Sequence, residues 1–424
     1  MASTTICSRK NAMPKFLNSG RNKNNGVSSD FGASMTARAQ PHFIAVAGKD
    51  NDWRALMANL LAEFVAQPEA HDCTMGFIYV SDYHAQHMQQ IIELLRDVTA
   101  IPHWVGSVGV GIMGPDRNYF DEPAISFMAA EIDPDLFCTV PVYDMNNKAP
   151  DRELKKWLHH HEPMLVLLHG DASASSDPVT ALKILSAEIG GYTVGGLSTG
   201  RHHTYQLADE ISEGALCGVA FDSEVPVAVA MAQGCNPLGP VHKVTKMLEG
   251  RIHELDGRRA YDVFIEDLKK YTGPMSSDIK TIFDVPGEIH LAIPVPDRDQ
   301  HDFLVRHAKA INREGGWIDV TWPLAQGDEL MFVHRDDKTV REDFIRQCYY
   351  LRNRVESERG YFAPRGALFI SCMARSASLG NGVGWEREIM EDLLGAMPLV
   401  GFYASGEIVN SYIYGYTGLI ILFL

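Results

Sequence analysis

The sequence predicts an α/β (α+β) protein of two domains, each a mixed or largely antiparallel sheet packed with helices. Short apolar runs of strand type alternate with segments of helical spacing from residue 40 onward. The runs 215–221 and 225–233 are separated only by Asp222, Ser223 and Glu224, a hairpin spacing that a purely parallel sheet does not contain. The composition then loosens over 234–257, GCNPLGPVHKVTKMLEGRIHELDG, which reads as the linkage between two domains. The expected organisation is a tail over 1–40, a first domain over 41–250 and a second over 251–424.

The elements follow in order. Residues 42–47 read as a strand, and Asp52 can cap a helix in which Leu56, Leu60 and Phe64 recur at four. A strand over 75–80 precedes a helix over 82–99 with Ile91, Leu94 and Leu95 inward. Strands are expected at 103–108, 124–131, 164–169 and 192–197, with helices at 151–161 and 178–189, the latter with Pro178 in its first turn. In the second half, helices are expected at 261–271 and 301–312, and strands at 288–295, 317–322 and 330–334. The helix over 339–358 is the best marked. Thr339 and Glu342 form a capping box there, and Val340, Phe344, Cys348, Leu351 and Val355 trace one stripe. Residues 419–424 read as a last strand, and no short-period repeat is present.

Composition excludes several function classes. Apolar residues at 46% and charged residues at 22% are ordinary for a globular chain. A net charge of −16 argues against nucleic acid, whose phosphates need a basic face. Seven scattered cysteines without a C-x-x-C pair argue for a reducing compartment, hence a cytoplasmic location, and against a structural zinc site or disulfide framework. No apolar run reaches the ~18–20 residues of a membrane helix. The first forty residues are Ser/Asn-rich and basic, compatible with a disordered tail, a transit peptide or a later start at Met35.

Residues 366–408 carry the clearest functional signal. An apolar strand ending at Cys372 runs into a Ser/Gly/Asn-rich loop over 373–384, then a helix over 385–394 closed by Gly395, then a strand over 397–403. A glycine-rich loop between strand and helix presents free N–H groups and the positive end of the helix dipole, which suits an anion. Arg375 in that loop can add a bidentate grip, and Glu407 beyond the second strand can hold a cationic group. Together they describe an amino-acid-like ligand, anionic or zwitterionic. Cys372, Arg375, Asn381, Gly382, Ser405 and Glu407 are the expected contacts, with Gln233 and Asn236 as a third wall. No cofactor or metal is expected.

Other motifs carry less. Gly109, Gly111 and Gly114 match G-x-G-x-x-G, but Pro115 to Asn118 follow where a helix must begin, so a turn or a glycine loop over a small-ligand pocket replaces the dinucleotide reading. His159, His160 and His161 are consecutive and do not share a helix face as metal ligands would. Cys372 at a strand end leaves open a hydrolase or isomerase acting on amino-acid derivatives. An interaction scaffold without a small ligand is the third alternative. With no P-loop, G-x-S-x-G or H-E-x-x-H, binding is favoured over catalysis.

These segments together resemble the FIST family. Residues 105–114 with 120–132 are similar to the Gly/Ser loop and following strand of its N-terminal domain, and 192–200 to its later Gly-Gly segment. Gln233 to Gly239, Val244-Thr245 and 254–257 resemble the Q-G-x-x-P-x-G…V-T…L-D-G run. Residues 367–375 and 398–408 resemble the start and end of the C-terminal motif. Ser376 stands where the family often has Gly, and Val409-Asn410 where it has Gly-Pro. The resemblance implies a sensory module for small ligands, with amino acids proposed, that is fused in some members to signalling domains or an F-box. The polar forty-residue leader does not resemble an F-box, so a stand-alone member signalling through a separate partner is expected.

Overall fold

The computed structural model describes residues 42–143, 152–172, 178–213, 216–272, 287–295, 303–320, 324–377 and 384–424. It belongs to the α+β class, with mixed sheets packed by helices. One unit of architecture occurs three times. The first copy runs β1 (Phe43–Lys49), α1 (Trp53–Val65), β2 (Met75–Ser81), α2 (Met88–Thr99), β3 (His103–Gly109), a hairpin of β4 (Gly111–Met113) and β5 (Asn118–Phe120), and β6 (Ala124–Ala130). The second runs β7 (Phe137–Tyr143), α3 (Arg152–Leu158), β8 (Pro163–Gly170), α4 (Pro178–Ile189), β9 (Tyr192–Leu197), the hairpin β10 (Tyr205–Ala208) and β11 (Glu210–Glu213), and β12 (Leu216–Asp222).

The third copy opens with β13 (Val227–Ala232) and is interrupted by residues 236–335. That insertion holds β14 (Asn236–Pro237), β15 (His242–Leu248), β16 (Arg251–Leu255), β17 (Arg258–Arg259), α5 (Ala260–Thr272), β18 (Glu288–Pro294), β19 (Phe303–Asn312), β20 (Trp317–Val320) and β21 (Glu329–Arg335). The copy resumes with α6 (Asp337–Arg359), β22 (Gly366–Cys372), α7 (Met373–Ala377), α8 (Trp385–Leu394), β23 (Leu399–Ala404), the hairpin β24 (Glu407–Val409) and β25 (Tyr412–Tyr414), and β26 (Gly418–Phe423).

Each copy builds a six-stranded sheet around a parallel pair, β2 with β3, β8 with β9, and β22 with β23. Each then gives its hairpin away in a cycle. The first copy's hairpin joins β23, the second's joins β3, and the third's joins β9. The three sheets enclose one core. Phe77, Phe221 and Phe423 meet there at centroid distances of 5.7–6.4 Å. Tyr79, His169 and Phe402 form another trio at 5.1–5.7 Å. Outer faces are covered by α1 and α2, by α3 and α4, and by α6 and α8. The insertion is antiparallel throughout and closes on itself through β18 and β21, with Val263, Phe264 and Leu268 of α5 in its core.

Local sequence explains most elements. In β26, Leu419, Ile421 and Phe423 face the central core while Ile420 and Leu422 face the α6 layer, so the run is apolar at every position. Asp52 caps α1 as expected, accepting the Arg54 N–H at 2.9 Å. Four expectations are corrected. Residues 301–312 are expected as a helix, yet 303–312 is β19, held between β18 and β20. The α6 cap is Asp336, which accepts the Thr339 N–H at 2.7 Å, so the capping box at Thr339 is not formed. The 215–233 hairpin does not exist: β12 pairs with β7 and β8 on its two edges, and β13 crosses to β26. The stretch 234–257 is no linker, since it supplies β14 to β16 of the insertion. The first forty residues lie outside the described residues.

Candidate functional site

Cys372 and Ala404 sit opposite each other at the carboxyl ends of β22 and β23. Here the sheet passes from a parallel pair to an antiparallel neighbour, β26, the kind of edge where α/β sheets form ligand crevices. Arg375, on α7, turns inward and is fully buried. Its Nε and Nη2 lie 2.7 and 2.6 Å from Glu386 Oε1, and Nη1 donates to the Tyr416 carbonyl at 3.1 Å and the Gln233 carbonyl at 3.3 Å. Ser371 donates to the other Glu386 oxygen at 2.9 Å. This corrects the expected free anion grip, because the guanidinium charge is already neutralised by Glu386. Removing either partner alone strands a buried charge, at a cost of about 3–5 kcal/mol.

Glu407 is also fully buried. Its Oε2 accepts from the Thr417 N–H at 3.2 Å and the Thr417 hydroxyl at 2.5 Å. Its Oε1 has no hydrogen-bond partner among the described residues. Burial pushes this carboxyl up to about 8, against the pull of Thr417, Arg375 and Cys372. At neutral pH it is therefore mostly an uncharged acid, where the sequence reading expected a carboxylate. Burial likewise raises the Cys372 thiol to about 12, with the Glu407 charge adding to the shift. Such a group is a thiol, not a thiolate nucleophile, at neutral pH.

The structure adds partners that the sequence reading missed. Tyr416 lies in the turn before β26 with φ of +65°, a left-handed conformation uncommon for a bulky residue. Arg335 stacks 5.1 Å from its ring, His290 lies 4.4 Å away ring to ring, and His307 Nδ1 is 2.9 Å from its hydroxyl. Glu288 Oε2 lies 2.8 Å from Arg335 Nη1 and 3.2 Å from His290 Nε2. Burial alone would raise Glu288, but His290 and Arg335 bring it down to about 2. Burial lowers His290, against the Glu288 hydrogen bond, and favours neutral imidazole. Tyr416 is half-buried and His307 exposed, so the cluster reaches the surface on that side. No local signal marks Glu288, His290, His307 or Arg335, which meet only through the insertion's strand pairing.

Of the expected contacts, Cys372, Arg375, Glu407 and Gln233 converge. Gln233 is buried, its N–H donating to Asp343 at 2.8 Å and its side chain to the Phe303 carbonyl at 2.5 Å. Ser405 is exposed and donates to the Ser198 carbonyl at 3.2 Å, and Asn236 is exposed on β14. Asn381 and Gly382 lie outside the described residues. The Gly109–Gly114 segment is a strand crossover into β4 rather than a phosphate loop. A surface hollow of about 650 Å³ on the insertion lies apart from this cluster; its Arg258 and Arg259 are paired with Glu266 and Asp262. No group of three metal-ligating side chains occurs among the described residues.

Residues 74–258 match the FIST N domain model and residues 265–410 the FIST C domain model. The chain belongs to the FIST family. FIST domains are associated with signal transduction. An uncharacterised protein of Mycobacterium tuberculosis is 28% identical to it over 365 residues, covering 80% of this chain and 88% of that one. An uncharacterised protein of Mycobacterium bovis is 28% identical over 374 residues, covering 83% and 90%. No helix among the described residues is long and apolar enough to cross a membrane.

Proposed function

We propose that this FIST protein is a cytoplasmic, non-enzymatic sensor that binds a small anionic or zwitterionic molecule of amino-acid type and signals through a separate protein. Its seat is the cluster of Cys372, Glu407, Tyr416, Arg335 and His290 at the carboxyl end of β22. The observation that carries the reading is Glu407 Oε1, buried and without a partner among the described residues. An unmet buried oxygen costs about 1–3 kcal/mol, and strain at Tyr416 adds to it; both are signatures of sites kept for a ligand. Glu407 supplies the side that accepts an ammonium; Arg335 is already paired with Glu288 at 2.8 Å, so a ligand carboxylate there would share its guanidinium with that carboxylate. The raised thiol of Cys372 gives no support to the hydrolase alternative.

Calorimetric titration with the common amino acids and small carboxylates tests this. At least one should bind saturably without being consumed, and Glu407→Gln should weaken it at least tenfold. A panel that fails throughout, or a variant that binds like the parent, would sink the proposal.

A further inference from the structure

The threefold repetition assigns a counterpart to Glu407. Glu407 is the first residue of a donated hairpin and lies opposite Gly196, which lies opposite His169. In the neighbouring sheet the same row reads Gln206, Ser107, Tyr79. In the third it reads Ile112, Phe402, Ile370 and is apolar. Gln206 thus occupies the position of Glu407. Like Glu407 it is fully buried, and like Glu407 it leaves its Oε1 without a partner among the described residues.

Around it lies a polar junction with no role in the site described above. Gln206 donates to Ser198 at 2.9 Å and to the Thr204 carbonyl; Ser198 and Ser107 hydroxyls are 2.7 Å apart, and Thr204 donates to Asp171 at 2.7 Å. His169, also fully buried, places Nε2 3.2 Å from the Tyr79 hydroxyl and leaves Nδ1 without a partner among the described residues. Two unmet polar atoms in one junction are costly unless something fills them.

We propose that this junction, formed by Ser107, His169, Asp171, Ser198, Thr204 and Gln206, is a second binding site, for a small uncharged molecule carrying both a donor and an acceptor, as an amide does. Gln206 Oε1 asks for a donor. His169 Nδ1 asks for an acceptor when Tyr79 donates to Nε2. Burial lowers the imidazole to about 3, so His169 brings no charge to attract an anion. The loop leading to β10 supplies Ser198 and Thr204 to the junction and is tied to Asp82 by Arg201, Nη2 to Oδ1 at 2.9 Å.

Acetamide serves as the probe, with the full chain and ¹⁵N-labelled histidine. Saturable shifts of the His169 ring nitrogens are expected, together with a rise in Tm of a few degrees that Gln206→Leu abolishes. Equal responses in both proteins, or ring signals that drift without saturating, would overturn the proposal. So would a high-resolution map in acetamide showing only ordered water on His169 Nδ1 and Gln206 Oε1. If Gln206→Leu fails to fold, the histidine titration decides alone.

Discussion

At the scale of residues, Glu407 is a fully buried carboxyl whose proton is held by burial. Its folded value, about 8, lies above the ordinary carboxyl value, so the folded state holds a proton that the unfolded chain releases. This group's contribution is therefore most favourable below its unfolded value near 4.5. It is lost progressively as pH rises through about 8, a change on the order of a few kcal/mol. Glu407→Gln should remove that slope and melt higher than the parent at pH 8–9, which thermal melts across pH would show. A variant less stable than the parent at every pH would mean that Glu407 is satisfied in ways the geometry does not reveal. The site was half legible in sequence. Cys372, Arg375, Gln233 and Glu407 carry local signals, loop glycines and strand ends, and the structure brings these four side chains into one cluster. That Arg375 is neutralised by Glu386, eleven positions on, was hidden because a helix had to fold back first.

At the scale of elements, the pattern is readable where burial is unambiguous: the stripe on α6 meets one layer, and the run of β26, buried on both faces, is apolar throughout. The failures came where pairing overrode local pattern: β19 is held as a ladder between β18 and β20, and β12 uses both edges so that β13 must leave. The α6 cap shifted by three because an Asp before the helix outcompetes a Thr inside it. Asp336→Ala should cost about 1 kcal/mol in chemical denaturation. A loss within error would return the cap to Thr339.

At the scale of the molecule, cyclic exchange of hairpins ties the FIST N and FIST C segments together. β24 and β25, from the C segment, complete the sheet of β9, while β4 and β5, from the N segment, complete that of β23. Sequence could not show this, since each donated hairpin pairs with a strand far away along the chain. The full chain should melt in one transition, and residues 1–258 alone should expose the β9 edge and aggregate unless 259–424 is supplied. Two separate transitions, or a soluble cooperative N fragment, would contradict the coupling. The same exchange places Glu407 on a strand of the other segment's sheet.

The most direct test is proton release on binding, measured by titrating the tightest amino acid at pH 7 in buffers of different ionisation enthalpy. An ammonium held by Glu407 requires the carboxylate, so close to one proton should leave per ligand bound, and affinity should rise about tenfold per pH unit below about 8. Binding without proton release, and with a flat pH profile, would contradict the account.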